Sequence, residues 1–165
     1  MNNNDKSFLD LTNVEIAKVV KDFGEQPYRI DQLDHWIYKK YAQSWQDMNN
    51  LPPKFVSDID SLYRLHPLTE IGFSGKTNDP AQKFLFQTSK KNKIESVLMF
   101  QKNRTTICVS SQSGCAVDCK FCATALMGFK ENLSSGEIVD QFLHLSSRSK
   151  SRVTNVVFMG MGEPF

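Results

Sequence analysis

The chain has 165 residues, 40% of them hydrophobic and 23% charged, with a formal net charge of +2, a composition that describes a globular protein and excludes a disordered polar chain. No apolar run approaches the roughly 20 residues of a membrane helix, and the N-terminus MNNNDKSFLDL lacks the basic-then-apolar layout of a secretory signal, so a cytoplasmic location is expected. Charge is unevenly placed: residues 1–70 carry 8 Lys/Arg against 11 Asp/Glu, whereas residues 71–165 carry 12 against 7.

The first third reads as helices. Thr12 is placed to cap a segment with Val14, Ile16, Val19, Val20 and Phe23 at roughly helical spacing, ended by Gly24. After Pro27, the residues Ile30, Leu33, Trp36, Ile37 and Tyr41 mark one face of a second helix. Ser44 to Met48 suit a short turn, and Pro52 and Pro53 suit the first turn of a helix through Phe55, Ile59 and Leu62. Trp36 and Tyr41 are read as core residues, and His35, His66 and His144 have no ligand-like spacing.

The texture changes after Pro67. Leu68–Ser74, Lys83–Thr88, Ile94–Phe100 and Thr105–Ser110 are rich in β-branched and aromatic residues, with turn residues in Gly75–Asp79 and Ser89–Asn92. They predict an antiparallel sheet leading into the cysteines. Ser134 followed by Glu137 is a capping-box pattern that opens a helix bearing Ile138, Phe142 and Leu143. Asn155–Met159 is an apolar strand of the kind buried in a parallel sheet, ending in Gly160 and Gly162. The expected fold class is α/β, with a helical domain at 1–67 and a β-rich region at 68–165.

The positive excess lies between Lys83 and Arg104, where Lys83, Lys90, Lys91, Lys93, Lys102 and Arg104 face only Glu95. Such a segment attracts a polyanion such as RNA, and it equally suits a solvated hairpin protected from edge pairing by lysines. Charge alone leaves both readings open.

All four cysteines, Cys108, Cys115, Cys119 and Cys122, fall in one short stretch, which points to metal or redox chemistry more than to a disulfide framework. GCAVDCKFCATALMGF contains C-x-x-x-C-x-x-C. On a strand Cys122 would face away from Cys115 and Cys119, so a common centre requires a loop. Three thiolates suit an iron–sulfur cluster with one open iron; a four-thiolate zinc site that adds Cys108 is the competing reading. Phe121 is placed to screen a cluster or to pack against a bound ligand, and an ordinary core role suits it as well.

C-x-x-x-C-x-aromatic-C resembles the radical S-adenosylmethionine signature. CVSSQSGCAVDCKFCATALMGFKENLSSGEIVDQ, followed by TNVVFMGMGEPF, resembles the RlmN/Cfr family of RNA adenine methyltransferases, and GEQPYRIDQLDHWIYKKY is similar to its helical accessory domain. The resemblance runs from about residue 8 to the end and is stronger to the RlmN branch. It implies a helical accessory domain, an antiparallel β extension and the start of a partial (βα) barrel. It implies a [4Fe–4S] cluster held by Cys115, Cys119 and Cys122, whose open iron binds S-adenosylmethionine.

By the same resemblance, Gly162 and Glu163 lie beside the methionyl amine, Phe121 borders the cofactor, and Glu95 is the proton acceptor. Glycine permits close approach there, and a carboxylate suits an ammonium. A Glu95 partly buried beside apolar neighbours would have a raised pKa, whereas as a bare strand residue a Glu is more often solvated. Cys108 would pair transiently with a methyl-carrying cysteine near the family's C-terminus. The implied activity is methylation of adenine carbon 2 in 23S rRNA and some tRNAs, with carbon 8 as the sister activity and a non-catalytic zinc-stabilised RNA-binding module as the reading from another class. The implied partners are rRNA, tRNA and a flavodoxin-type electron donor, with a monomeric enzyme. The family's chains are about twice as long, so this chain alone is expected to lack the later strands and the C-terminal cysteine, and to be inactive.

Overall fold

The computed structural model describes residues 6–76 and 79–163. Residues 77 and 78 of the predicted Gly75–Asp79 turn, and Pro164 and Phe165 of the terminal motif, lie outside the described residues. The chain divides into two compact units, one up to Pro67 and one from Leu68. Among the described residues no helix is long and apolar enough to cross a membrane.

In the first unit, strand β1 (Lys6–Ser7) precedes helices α1 (Asn13–Asp22), α2 (Arg29–Tyr38) and α3 (Pro53–Leu62), which leads into β2 (Tyr63–Arg64). Thr12 caps α1 in a capping box with Glu15, and Gly24 takes the left-handed conformation (φ +74°) that ends the segment. Pro52 is the N-cap of α3 and Pro53 its first helical residue. The predicted turn is a short 3-10 helix at Trp45–Asp47.

The core gathers Phe8, Val20, Leu33, Ile37, Trp45, Phe55 and Ile59, each worth roughly 1.5–3 kcal/mol of burial. Trp45 meets Phe8 edge-on at 5.1 Å and donates its indole N–H to the Tyr63 carbonyl at 3.0 Å. Val14, expected on the apolar face of α1, is instead exposed: it lies in the first turn, away from the Val20 side of the helix. Trp36 and Tyr41 are half-buried. The parallel pairing of β1 with β2 had no signal in the sequence, because two residues carry no periodicity.

The second unit is a five-stranded sheet, ordered β3 (Thr69–Ser74), β4 (Ala81–Gln87), β5 (Lys93–Gln101), β6 (Arg104–Cys108), β9 (Asn155–Val157). The first three pairings are antiparallel, and β6 with β9 is parallel. Between β6 and β9 come β7 (Gln112–Ser113), the cysteine loop, β8 (Glu131–Asn132) and helix α4 (Ser135–Arg148). One sheet face is buried in a core that includes Leu68, Phe84, Phe86, Ile94, Leu98, Ile107 and Leu145, with Ile138 and Phe142 packed against it.

Ser134 and Glu137 form the predicted capping box of α4. Its buried face is more polar than the sequence pattern suggests, with Glu137, Asp140 and Gln141 buried beside Leu143. The expectation of a buried Asn155–Met159 strand is corrected. Its ladder ends at Val157, it lies at the edge of the five-stranded sheet, and Val156, Phe158 and Met159 are exposed. The chain leaves regular pairing because the next hydrogen bonds are irregular: Gly160 N–H donates to Val109 O, and Met161 N–H to Ser110 Oγ.

A thiol loop and a glycine-rich strand end

Past Cys108 the end of β6 keeps hydrogen-bonding to the segment beyond β9. Val109 N–H donates to Val157 O, and Ser111 and Gln112 N–H both donate to Met161 O. This draws the chain entering the cysteine loop alongside Gly160–Glu163. Gln112 then pairs with Asn132 and Ser113 with Glu131, which closes the loop at its base. At Gly114 (φ +75°) an added Cβ would collide with the Gly128 carbonyl, so the two sides of the loop touch through backbone.

Within this closed base, Cys115, Cys119 and Cys122 are free and half-exposed, in irregular backbone. Asp118 adopts φ +53°, and Cys122 N–H donates to Cys119 O at 3.0 Å, so the chain bends twice within the motif. Hydrogen bonding from the Thr124 backbone, then from the Ala125 backbone and the Thr124 side chain, holds the Cys122 thiol below its ordinary value. That favours the thiolate, the form that binds metal. Three free, half-exposed thiols on one loop are accessible as ligands.

Cys108 differs from them. It lies in β6, is 8% exposed, and burial pushes its thiol up, opposed by a backbone hydrogen bond at Met159. Register places it opposite Val97 on the sheet face away from the core, and Glu95 lies on that same face, opposite Leu85. Glu95 is partly buried, with apolar neighbours and a lysine beside it. Its side chain is 45% exposed, pairs with Lys83 Nζ at 3.3 Å, and borders an open groove of about 360 Å³ with Gly72, Phe73 and Leu85. Ile94 and Ser96, its neighbours in sequence, take the buried face, as strand alternation requires.

Phe121 is 93% exposed and packs against neither core. Gly162 has φ +105°, and a Cβ there would lie 2.6 Å from the Gln112 Cβ and 2.8 Å from the Gln112 N. Only glycine fits without displacing that strand. Glu163 is exposed, and its N–H donates to Gln112 Oε1 at 3.0 Å.

Several supporting residues escaped the sequence reading. Gln141, fully buried, accepts from Ser96 Oγ and Ser110 N–H through Oε1 and donates to Ser110 O through Nε2. Ser110 Oγ in turn donates to the Glu95 carbonyl at 2.6 Å and accepts from Met161 N–H at 2.8 Å. Glu131, 8% exposed, accepts from Thr88 Oγ1, Asn92 Nδ2 and Lys90 Nζ. Burial works to raise its pKa, but the hydrogen bonds from Asn92, Lys90 and Thr88 outweigh it and hold the carboxyl low. The available signal was the polar run SSQS following an apolar strand, which is easily read as plain loop.

The basic segment is also revised. Lys83 and Lys90 are engaged by Glu95 and Glu131, while Lys91, Lys93, Lys102 and Arg104 are exposed.

The mixed α/β chain matches about half of the structure of a radical S-adenosylmethionine methyltransferase. A solved structure of such an enzyme from Sphaerobacter thermophilus matches with a TM-score of 0.91 and 40% identity, over 96% of this chain and 48% of that one. Residues 6–61 match the family model described as the ribosomal RNA large subunit methyltransferase N-terminal domain, RlmN_N. The chain is homologous to the N-terminal portion of RlmN proteins. A probable dual-specificity RNA methyltransferase RlmN from Aquifex aeolicus is 41% identical over 91% of this chain and 43% of its own length. One from Thermotoga maritima is 38% identical over 96% of this chain and 46% of its own length. The chain thus spans about half the length of the curated relatives it matches.

Proposed function

We propose that this chain forms the N-terminal portion of an RlmN-type radical S-adenosylmethionine methyltransferase that methylates carbon 2 of an adenine in 23S rRNA and in some tRNAs. The observation that carries the reading is the closed loop of three free thiols beside the Gly160–Glu163 strand end, in a chain homologous to such enzymes. Cys115, Cys119 and Cys122 would hold a [4Fe–4S] cluster; when bound, that group supplies the electron that cleaves S-adenosylmethionine.

Gly162, lacking a Cβ, lets the strand end lie close against Gln112, and the exposed Glu163 carboxylate suits the methionyl ammonium of the cofactor. Phe121 would cover the cofactor side of the loop. Glu95, on the open sheet face, would accept a proton from the substrate adenine. Cys108, on that face, would pair transiently with a cysteine beyond this segment. In this reading β6, α4 and β9 begin a partial barrel, a flavodoxin-type protein supplies the electrons, and the enzyme works as a monomer.

The test has two parts. Anaerobic reconstitution should load about four irons and four sulfides per chain; one tight zinc without a brown chromophore would replace the reading with a zinc-stabilised RNA-binding module. Mass spectrometry of RNA treated with the protein in its full natural length should then place the methyl on carbon 2. A carbon-8 product would assign the sister activity.

A further inference from the structure

We infer that Gln112 is a positioning residue that sets the cofactor-binding strand end against the cluster loop; the inference rests on the function proposed above. Gln112 is 6% exposed and lies three residues before Cys115. Its side chain spans two segments. Oε1 accepts the Glu163 N–H at 3.0 Å, and Nε2 donates to Asn132 Oδ1 at 2.8 Å on the far side of the loop. Its backbone N–H donates to Met161 O at 3.1 Å.

One residue therefore ties together both stems of the cysteine loop and the backbone on either side of Gly162. The absent Cβ of Gly162 is what lets the Gln112 side chain pass, since any larger residue there would overlap it. The task suits glutamine: it offers an acceptor and a donor at the end of two methylenes. Asparagine is one methylene too short to keep both reaches. A methionine of similar length fills the same space but offers no strong acceptor to Glu163 N–H. That N–H then has to be satisfied by another group or by movement of the strand end.

Because Gly162 and Glu163 face the cofactor in the proposed reading, such movement shifts the binding groups relative to the thiols. The cluster ligands themselves stay in place, because β7 and β8 remain paired through backbone. Gln112 thus acts through Glu163 and Gly162 and is not itself a ligand.

The test compares wild type, Gln112→Met and Gln112→Glu, in the protein at its full natural length, reconstituted anaerobically. Iron and sulfide content is measured first. S-adenosylmethionine is then titrated against the electron paramagnetic resonance signal of the reduced cluster. Gln112→Met should load iron as wild type does and bind S-adenosylmethionine about tenfold more weakly. Gln112→Glu keeps the acceptor for Glu163 N–H, and a turned Asn132 amide restores the other bond, so its affinity should stay within about threefold of wild type.

Wild-type affinity in Gln112→Met overturns the inference. Loss of iron in Gln112→Met also overturns it, since Gln112 would then be a scaffold of the loop. Equal weakening in both variants overturns it too, because the acceptor would not be what matters. A wild type that takes up no iron or binds no S-adenosylmethionine removes the proposed function, and this inference with it.

Discussion

The seam between β5, β6 and α4 and the cysteine loop that leaves it are built in opposite ways. In the seam, Ser96, Ser110 and Gln141 are polar yet essentially inaccessible, and each finds its partners within the protein. In the loop, three thiols stay half-open, and Phe121 and Leu126 project into solvent. The closed seam holds backbone in place, and the open loop presents reactive groups. The comparison shows where rigidity is needed: at the loop's stems and at the Met161–Glu163 strand end, both of which hang from Ser110 to Gln112.

The sharpest way to break this comparison is at the thiols. Replacing Cys115, Cys119 or Cys122 with Ala should each abolish iron loading, while Cys108→Ala should retain it, because Cys108 lies buried in a strand. Iron and sulfide analysis of the four variants decides this; equal loss in Cys108→Ala would make Cys108 a ligand.

The seam is the next target. Gln141→Leu keeps the volume but strips partners from Ser96 Oγ and from the N–H and carbonyl of Ser110. Unfolding stability should fall by about 2–4 kcal/mol, measured by chemical denaturation. A neutral result would mean that the buried amide does not support this part of the fold.

The smallest expected effect concerns the hairpin beside the loop. Lys90 is held by Glu131, whereas Lys91 and Lys93 are exposed. Lys91→Ala with Lys93→Ala should reduce the salt slope of RNA binding by up to about 2, one for each phosphate no longer neutralised, with similar weakening across RNA sequences. Adding Lys90→Ala should change the slope little further. Unchanged affinity and slope in the double variant would mean the segment is a solvated hairpin.

Much of the fold was legible in advance. The capping residues Thr12 and Ser134, the prolines of α3 and the β-branched runs of β3 to β6 are local signals, and the elements formed where they pointed. The loop character of the three cysteines was expected on the condition that they share a centre, and they do lie in irregular backbone. Less legible were the surroundings of particular residues. Val14 and Val156 were apolar and read as buried, yet both are exposed, because apolar identity does not specify which face a neighbour covers. For Glu95 the sequence left a solvated and a partly buried side chain both open, and the structure gives an intermediate one, 45% exposed beside Lys83.

By itself, then, the sequence determined the order of the helices and of the longer strands, the three-cysteine motif and the glycines of the strand end, because caps, periodicity and spacing act over a few residues. Tertiary structure decided that Gln112 meets Glu163, that Gln141 meets Ser110, and that Lys90 is claimed by Glu131. Those partners lie 51, 31 and 41 residues apart in the chain. No local pattern records such pairings. The first two arise around the parallel pairing of β6 with β9, which brings polar groups together away from water, where each must find a partner; Lys90 instead reaches the buried Glu131 carboxylate from solvent.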